Sequence, residues 1–136
     1  MEELTKRYTA CEQALITLQE SLLLYDNNNY QAVHEQIRDS VIKRFEYSMD
    51  TFWKYLKEYL QKKHAPALTV ISPKAIFRAS LLAGIIDEAE FSSLSDMVED
   101  RNLTSHTYNE LLADVISKKA REYHTTMTNI IKRIAD

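Results

Sequence analysis

The scarcity of glycine and proline constrains the fold of this chain more than any other feature of its sequence. Only one glycine and two prolines occur among 136 residues. Turns of sheet proteins depend on both residue types, whereas the interiors of helices exclude them. The segment from residue 30 to residue 63 contains neither. The sequence therefore predicts an all-α protein.

Apolar side chains recur at steps of three and four along three long segments, which is the spacing of a buried helical face. The first segment ends at the sequence DNNN of residues 26–29, and the second, over residues 30–63, is the longest predicted helix. The third continues to the C-terminus. The positions predicted to face the core are Leu4, Tyr8, Cys11, Leu15, Leu18, Leu22, Ile37, Val41, Phe45, Phe52, Leu56, Tyr59, Leu112, Ile116, Ala120, Tyr123, Met127, Ile130 and Ile134.

Two shorter helices are predicted between the second and third long ones. Ser72 is a suitable N-cap and Pro73 fits the first turn, while Gly84 can end this helix in the left-handed conformation. Asp87 and Glu90 form a capping pair for the next helix. The predicted inward positions of that helix are Phe91, Leu94 and Val98. Five helical segments in this order predict an antiparallel four-helix bundle with one broken helix.

Composition limits the classes of function. The length fits a single domain over residues 1–136, and the net charge of −3 indicates no overall attraction to nucleic acid, although a local basic groove could still bind it. The lone Cys11 cannot form an internal disulfide, and it fits a reducing, cytoplasmic setting. No apolar run approaches the roughly 18 residues of a membrane span, so no membrane association is expected. Without a glycine-rich phosphate loop or metal-ligand spacing, we expect neither a nucleotidyltransferase active site nor a metal or other cofactor.

The segment RNLTSHTY at positions 101–108 contains the residues with the most evident chemistry. Arg101 keeps its charge and can bind a phosphate through two parallel hydrogen bonds, while His106 can exchange a proton near neutral pH. Their spacing leaves the two side chains about 140° apart around a straight helix. We therefore expect either a helix break between Asn102 and Ser105, or a cleft at which two chains meet.

This octapeptide resembles the RxxxxHxY signature of HEPN domains, and further segments resemble the branch known as nucleotidyltransferase substrate-binding proteins. Those segments are RFEY at 44–47, FWK at 52–54, LK at 56–57, SPK at 72–74 and AGIID at 83–87. The resemblance covers about residues 33 to 116. It implies a helical protein that is assembled with a minimal nucleotidyltransferase of the polymerase-β type, in many cases as toxin and antitoxin.

The resemblance also implies roles for the residues of the motif. Arg101 and His106 would be the catalytic pair of a metal-independent RNA endonuclease, and Asn102 would orient either group or the scissile phosphate. Tyr108 matches the tyrosine that in some systems accepts AMP from the partner. A homodimer would bring a second histidine within reach, so that base and acid could be different residues.

Other interpretations remain open at the level of sequence. The chain could instead be a non-catalytic subunit that presents a substrate to the nucleotidyltransferase, or a purely structural helical dimer. Arg101 and His106 are also residue types that cap helix ends or pair with carboxylates such as Glu99 and Asp100.

Three aromatic residues of the longest predicted helix have two interpretations. Phe45, Tyr47 and Trp53 could line a nucleotide pocket. On a long amphipathic helix, however, such side chains more often form core or dimer contacts. We therefore interpret them as packing residues.

Overall fold

The fold confirms the all-α prediction and is an antiparallel four-helix bundle with one broken member. The computed structural model describes residues 2–69 and 72–135. The helices are α1 (Glu2–Tyr25), α2 (His34–Lys63), α3 (Pro73–Leu82), α4 (Glu88–Leu103) and α5 (Glu110–Ile134), with short 3-10 helices at Asn28–Val33 and Thr104–His106. The described residues contain no strand, and none of their helices has the length and apolar character that a membrane crossing requires.

The caps predicted from the sequence start α3 and α4. The Ser72 side chain accepts a hydrogen bond from a backbone N–H of the first turn, in which Pro73 also lies. At the start of α4, the Asp87 carboxylate accepts a bond from the Glu90 N–H at 2.8 Å, and the Glu90 carboxylate accepts one from the Asp87 N–H at 3.0 Å. This reciprocal pair is a capping box, which satisfies two backbone donors and defines where α4 begins.

Gly84 separates α3 from α4, as the sequence predicts. It adopts a φ of 76°, in the left-handed region. Its N–H donates to the Leu81 carbonyl at 3.1 Å, and the Ile85 N–H donates to the Ser80 carbonyl at 3.0 Å. These two bonds are a Schellman motif, which favours glycine because a Cβ atom destabilises left-handed backbone.

One cluster of apolar side chains fills the space between the five helices. All but six of the predicted inward positions are buried, and those six pack, partly buried, against the margin of the cluster. The six are Tyr8, Tyr59, Phe91, Val98, Leu112 and Ile134. Helix α3, for which no inward face was predicted, contributes Ile76 and Phe77, and the Phe77 ring centroid lies 5.8 Å from that of Phe52.

The longest helix begins later than the sequence predicted. The segment without glycine or proline starts at residue 30, but α2 starts at His34, and Asn28–Val33 form a 3-10 helix instead. The Asn27 side chain accepts a hydrogen bond from the Asn29 N–H at 2.9 Å. Such local bonds compete with α-helical ones, so the asparagine run delays the helix. With 30 residues, α2 is about 45 Å long.

Two of the three aromatic residues with open roles pack as interpreted. Phe45 is fully buried, and Trp53 packs against the margin of the core. Tyr47 is 53% exposed and does not belong to the core cluster. Cys11 lies in the core, where burial raises the pKa of its thiol to about 12, so the thiolate is scarce at physiological pH.

Replacing Gly84 with alanine is expected to lower the free energy of unfolding by about 1–2 kcal/mol, because alanine adopts the left-handed backbone unfavourably. Among the described residues, nothing beyond the chain neighbours lies within 4 Å of an added Cβ, so backbone conformation alone sets the loss. Gly84→Asn is the matched control and should lose less, because asparagine tolerates this conformation better. Urea unfolding followed by circular dichroism measures both variants. An alanine variant as stable as the parent would contradict this account of the α3 end.

Candidate functional site

The motif of residues 101–108 lies where α4 gives way to α5. Helix α4 ends at Leu103, one 3-10 turn follows, and α5 begins at Glu110. The Asn109 side chain caps α5 by accepting a hydrogen bond from the Leu112 N–H at 3.2 Å. The helix therefore breaks within the interval that the spacing of the motif predicted.

Arg101 is bound by two carboxylates of α2. Its Nη1 donates to Glu46 Oε2 at 3.0 Å, and its Nη2 donates to Asp50 Oδ2 at 3.2 Å. The two acids are four residues apart, so they lie on the same face of α2. The guanidinium thus joins the end of α4 to the middle of α2. Its charge is balanced inside the protomer, and the Arg101 side chain is 30% exposed.

Thr104 completes this group at the first residue after α4. Its hydroxyl accepts a hydrogen bond from Arg101 Nη1 at 3.1 Å. The single hydroxyl proton can go to Glu46 Oε2 at 2.6 Å or to the Arg101 carbonyl at 2.8 Å, and the charged acceptor makes the stronger bond. The bonds among Arg101, Thr104 and Glu46 form a closed triangle, and Thr104 is buried within it.

The carboxylates nearest to Arg101 in sequence have other partners, contrary to one interpretation of the motif. Asp100 is buried and accepts a hydrogen bond from the Tyr123 hydroxyl, and its Oδ2 lies 3.4 Å from Lys119 Nζ. Burial, reinforced by the bond to Asp100, raises the pKa of Tyr123 above its usual range. The phenol therefore remains a donor at physiological pH. Glu99 pairs with Lys74 on α3 at 3.8 Å.

Three other residues of the motif with candidate roles face solvent. Asn102, His106 and Tyr108 are all exposed, and Tyr108 is 85% exposed. The His106 and Tyr108 ring centroids are 6.2 Å apart, with an angle of 73° between the planes. Within the described part of the protomer, neither Asn102 nor His106 hydrogen-bonds to Arg101. The structure thus brings Arg101 to α2 and His106 to Tyr108, on the two sides of the helix break.

A shallow cavity of about 280 Å³ adjoins the motif. Its walls are Asp39, Ile42, Lys43 and Glu46 of α2 together with Thr104, Thr107 and Tyr108 at the break. The Lys43 ammonium lies 3.7 Å from Glu46 Oε1 and 5.3 Å from the centre of the Tyr47 ring. In the described part of the chain, no three His, Cys, Asp or Glu side chains gather in a way that could hold a metal ion.

Sequence reasoning missed Glu46 and Asp50 as site residues. Glu46 lies within the RFEY segment at 44–47, one of the segments on which the family resemblance rests. The available signal for Glu46 as a site residue was its charge next to the buried stripe of a long helix. The partner of that carboxylate could not be read from the sequence, because Arg101 follows 55 residues later.

Comparison with known proteins assigns the chain to a family. Residues 6–136 match the family described as nucleotidyltransferase substrate binding protein like. The chain belongs to this family. The match includes both the motif and the part of α2 that contacts it.

Two solved structures resemble this member of the substrate-binding family. A crystal structure of a protein from Thermus thermophilus is 36% identical, with a TM-score of 0.81 and coverage of 93% of this chain and 99% of that one. A crystal structure of a toxin-antitoxin with AMP-PNP is 14% identical, with a TM-score of 0.72 and coverage of 95% of each chain. The second likeness shows a shared fold. No curated protein is similar enough in sequence to count as a match.

Replacing Thr104 with valine is expected to lower the free energy of unfolding by about 1–3 kcal/mol, because Glu46 loses a buried donor while side-chain volume hardly changes. Thr125→Val is the matched control: this exposed hydroxyl bonds to the carbonyl one turn earlier, and its loss should change stability by less than about 0.5 kcal/mol. Urea unfolding of both variants measures the difference. Equal losses would mean that the triangle of Arg101, Thr104 and Glu46 contributes no special stability.

Proposed function

We propose that this chain is a HEPN-type toxin that pairs with a minimal nucleotidyltransferase of the polymerase-β type and cleaves RNA without a metal. The observation that carries the proposal is the exposure of His106 at the helix break and of Asn102 in the last turn of α4, close to an arginine that α2 orients. Family membership supports the partnership with a nucleotidyltransferase. The fold shared with a toxin-antitoxin structure is consistent with the same role.

The proposed cleavage uses the 2′-hydroxyl of the RNA itself. His106 accepts the proton of this hydroxyl, the 2′-oxygen attacks the adjacent phosphorus, and the bond from phosphorus to the 5′-oxygen breaks. The products are a 2′,3′-cyclic phosphate and a 5′-hydroxyl. Arg101 stabilises the charge of the five-coordinate phosphorus, and Asn102 orients the phosphate.

The leaving 5′-oxygen needs a proton from a second group. We propose a homodimer of single-domain protomers, residues 1–136, in which the second His106 is this acid. Exposed apolar side chains within the motif and in the first turns of α5 support an interface there. They are Leu103, at 40% exposure, Leu111, at 75%, and Val115, at 42%.

The partner would silence the site by transferring AMP to Tyr108. The phenolic oxygen attacks the α-phosphorus of ATP held by the nucleotidyltransferase, the bond to the bridging oxygen breaks, and pyrophosphate leaves as the phenolic proton passes to a base. The exposure of Tyr108 supports its access to a second protein. The adenylyl group would add bulk and negative charge next to His106.

One observation favours a second function. Glu46 and Asp50 already balance the charge of Arg101, and a subunit that only presents a substrate to the nucleotidyltransferase needs no free phosphate-binding arginine. The family description agrees with such a role. In this case the ion pairs would only hold α4 against α2.

Overproduction of the chain without its partner is expected to arrest growth, and the purified protein is expected to cleave RNA in EDTA. His106→Ala should slow cleavage by about 100-fold or more, because it removes the general base. His64→Ala is the matched control, since this histidine is exposed at the end of α2 and should be dispensable. A His106→Ala variant as active as the parent would remove the imidazole from the mechanism. Harmless overproduction of the parent would favour the substrate-presenting subunit.

Co-expression with the proposed partner, a minimal nucleotidyltransferase expected to be encoded nearby, is expected to raise the intact mass of this chain by one adenylyl group. Tyr108→Phe should abolish the increase because it removes the acceptor oxygen. Tyr30→Phe is the matched control, because Tyr30 is 42% exposed, and this variant should still show the increase in mass. Modification that persists in Tyr108→Phe would place the acceptor elsewhere, and an unmodified parent would exclude the transfer.

A further inference from the structure

We infer that Asp50 competes with the RNA phosphate for Arg101, so that the motif binds a phosphodiester only when the contact between Asp50 and Arg101 is released. The inference rests on the proposed function, because it concerns the same arginine. It assigns different roles to two carboxylates that look alike in sequence. Glu46 positions the guanidinium, and Asp50 occupies the place of the substrate.

The two carboxylates differ in how firmly the protein holds them. The Glu46 side chain is 18% exposed and accepts hydrogen bonds from Arg101 at 3.0 Å and from Thr104 at 2.6 Å. The Asp50 side chain is 42% exposed, and Arg101 is its one hydrogen-bond partner among the described residues. Water competes effectively for a partly exposed ion pair. Asp50 is therefore the carboxylate that an incoming anion can displace.

The hydrogen bonds of the guanidinium point to the same exchange. Its Nη1 is shared by Glu46 and Thr104, and its Nε is buried without an acceptor in the described structure. Of the two carboxylates that the guanidinium binds, the one at Nη2, Asp50, is the more exposed. A phosphodiester oxygen can take the place of the Asp50 carboxylate at Nη2 while Glu46 keeps its bond to Nη1. One anion then replaces another, and the arginine does not need to move.

The local charges explain why this competition matters. Glu46 and Asp50 face Arg101 and Lys43, whose ammonium lies 3.7 Å from Glu46 Oε1. These four charges cancel, so the group has no net attraction for a polyanion. Without the charge of Asp50 the group becomes positive by one unit, and a guanidinium nitrogen is left open to solvent. RNA binding should then be tighter and should depend more steeply on salt.

Asp50→Asn tests the inference through binding, separately from cleavage. The probe is a fluorescently labelled single-stranded 2′-O-methyl RNA, which lacks the attacking hydroxyl, and anisotropy is measured in EDTA at low salt. Asp50→Asn is expected to bind the probe about two- to fivefold more tightly than the parent, the fold-change that corresponds to release of one partly exposed ion pair. Arg101→Gln, in the Asp50→Asn background, should remove that gain.

Two variants separate release of Arg101 from a general change in charge. Asp114 is 41% exposed and lies 3.4 Å from the Arg38 guanidinium, so Asp114→Asn removes the same charge from a similar pair and leaves Arg101 bound. It should bind like the parent. Glu46→Gln removes a charge but also loosens Arg101, and it should not show the gain. Unfolding in urea checks that each variant is folded.

The possible outcomes are distinct. An Asp50→Asn variant that binds like the parent, or no better than Asp114→Asn, overturns the inference. The inference is also overturned if neither the parent nor any variant binds the probe. A gain that depends on Arg101 supports it, even if unmodified RNA is never cleaved. In that case the cleavage proposal fails while the anion site at Arg101 stands.

Discussion

The contact of Arg101 with Glu46 and Asp50 connects the motif to the rest of the bundle. Backbone carbonyls in the last turn of a helix lack partners within it, so helix ends fray unless side chains hold them. Here the last turn of α4 is tied to α2, a helix of 30 residues whose inner face lies in the core. Thr104, the first residue after α4, is bonded to the Glu46 carboxylate as well. The helix break therefore has a defined place on the surface.

The motif divides into an inner and an outer half. Arg101 and Thr104 turn inward and bond to α2, while Asn102, His106 and Tyr108 remain in solvent. The inner half supplies the rigidity that a binding site needs, because side chains held by packing and hydrogen bonds keep their geometry. The outer half supplies groups that a substrate or partner can reach. This division makes Arg101 both a structural tie and the candidate phosphate ligand.

Much of the fold could be predicted from short segments of sequence. The capping box of Asp87 and Glu90 and the glycine that ends α3 both depend on chemistry among neighbouring residues. The break within the motif was one of two alternatives that followed from the spacing of Arg101 and His106. The start of α2 was predicted too early, because the absence of glycine and proline does not reveal how asparagine side chains bond to their own backbone. The buried face of α3 was not predicted, since ten residues offer little periodicity to measure.

The sequence by itself determined the helical class and the order of the helices, because these follow from backbone preferences over a few residues. It gave a helix break within the motif as one of two alternatives, and the structure contains that break. Only the tertiary structure decided the partners of Arg101. Those partners lie 55 and 51 residues away, while the neighbouring Asp100 turns to α5 and Glu99 to α3. Which carboxylate meets which cation depends on how distant helices pack against a common core, and no local spacing encodes that choice.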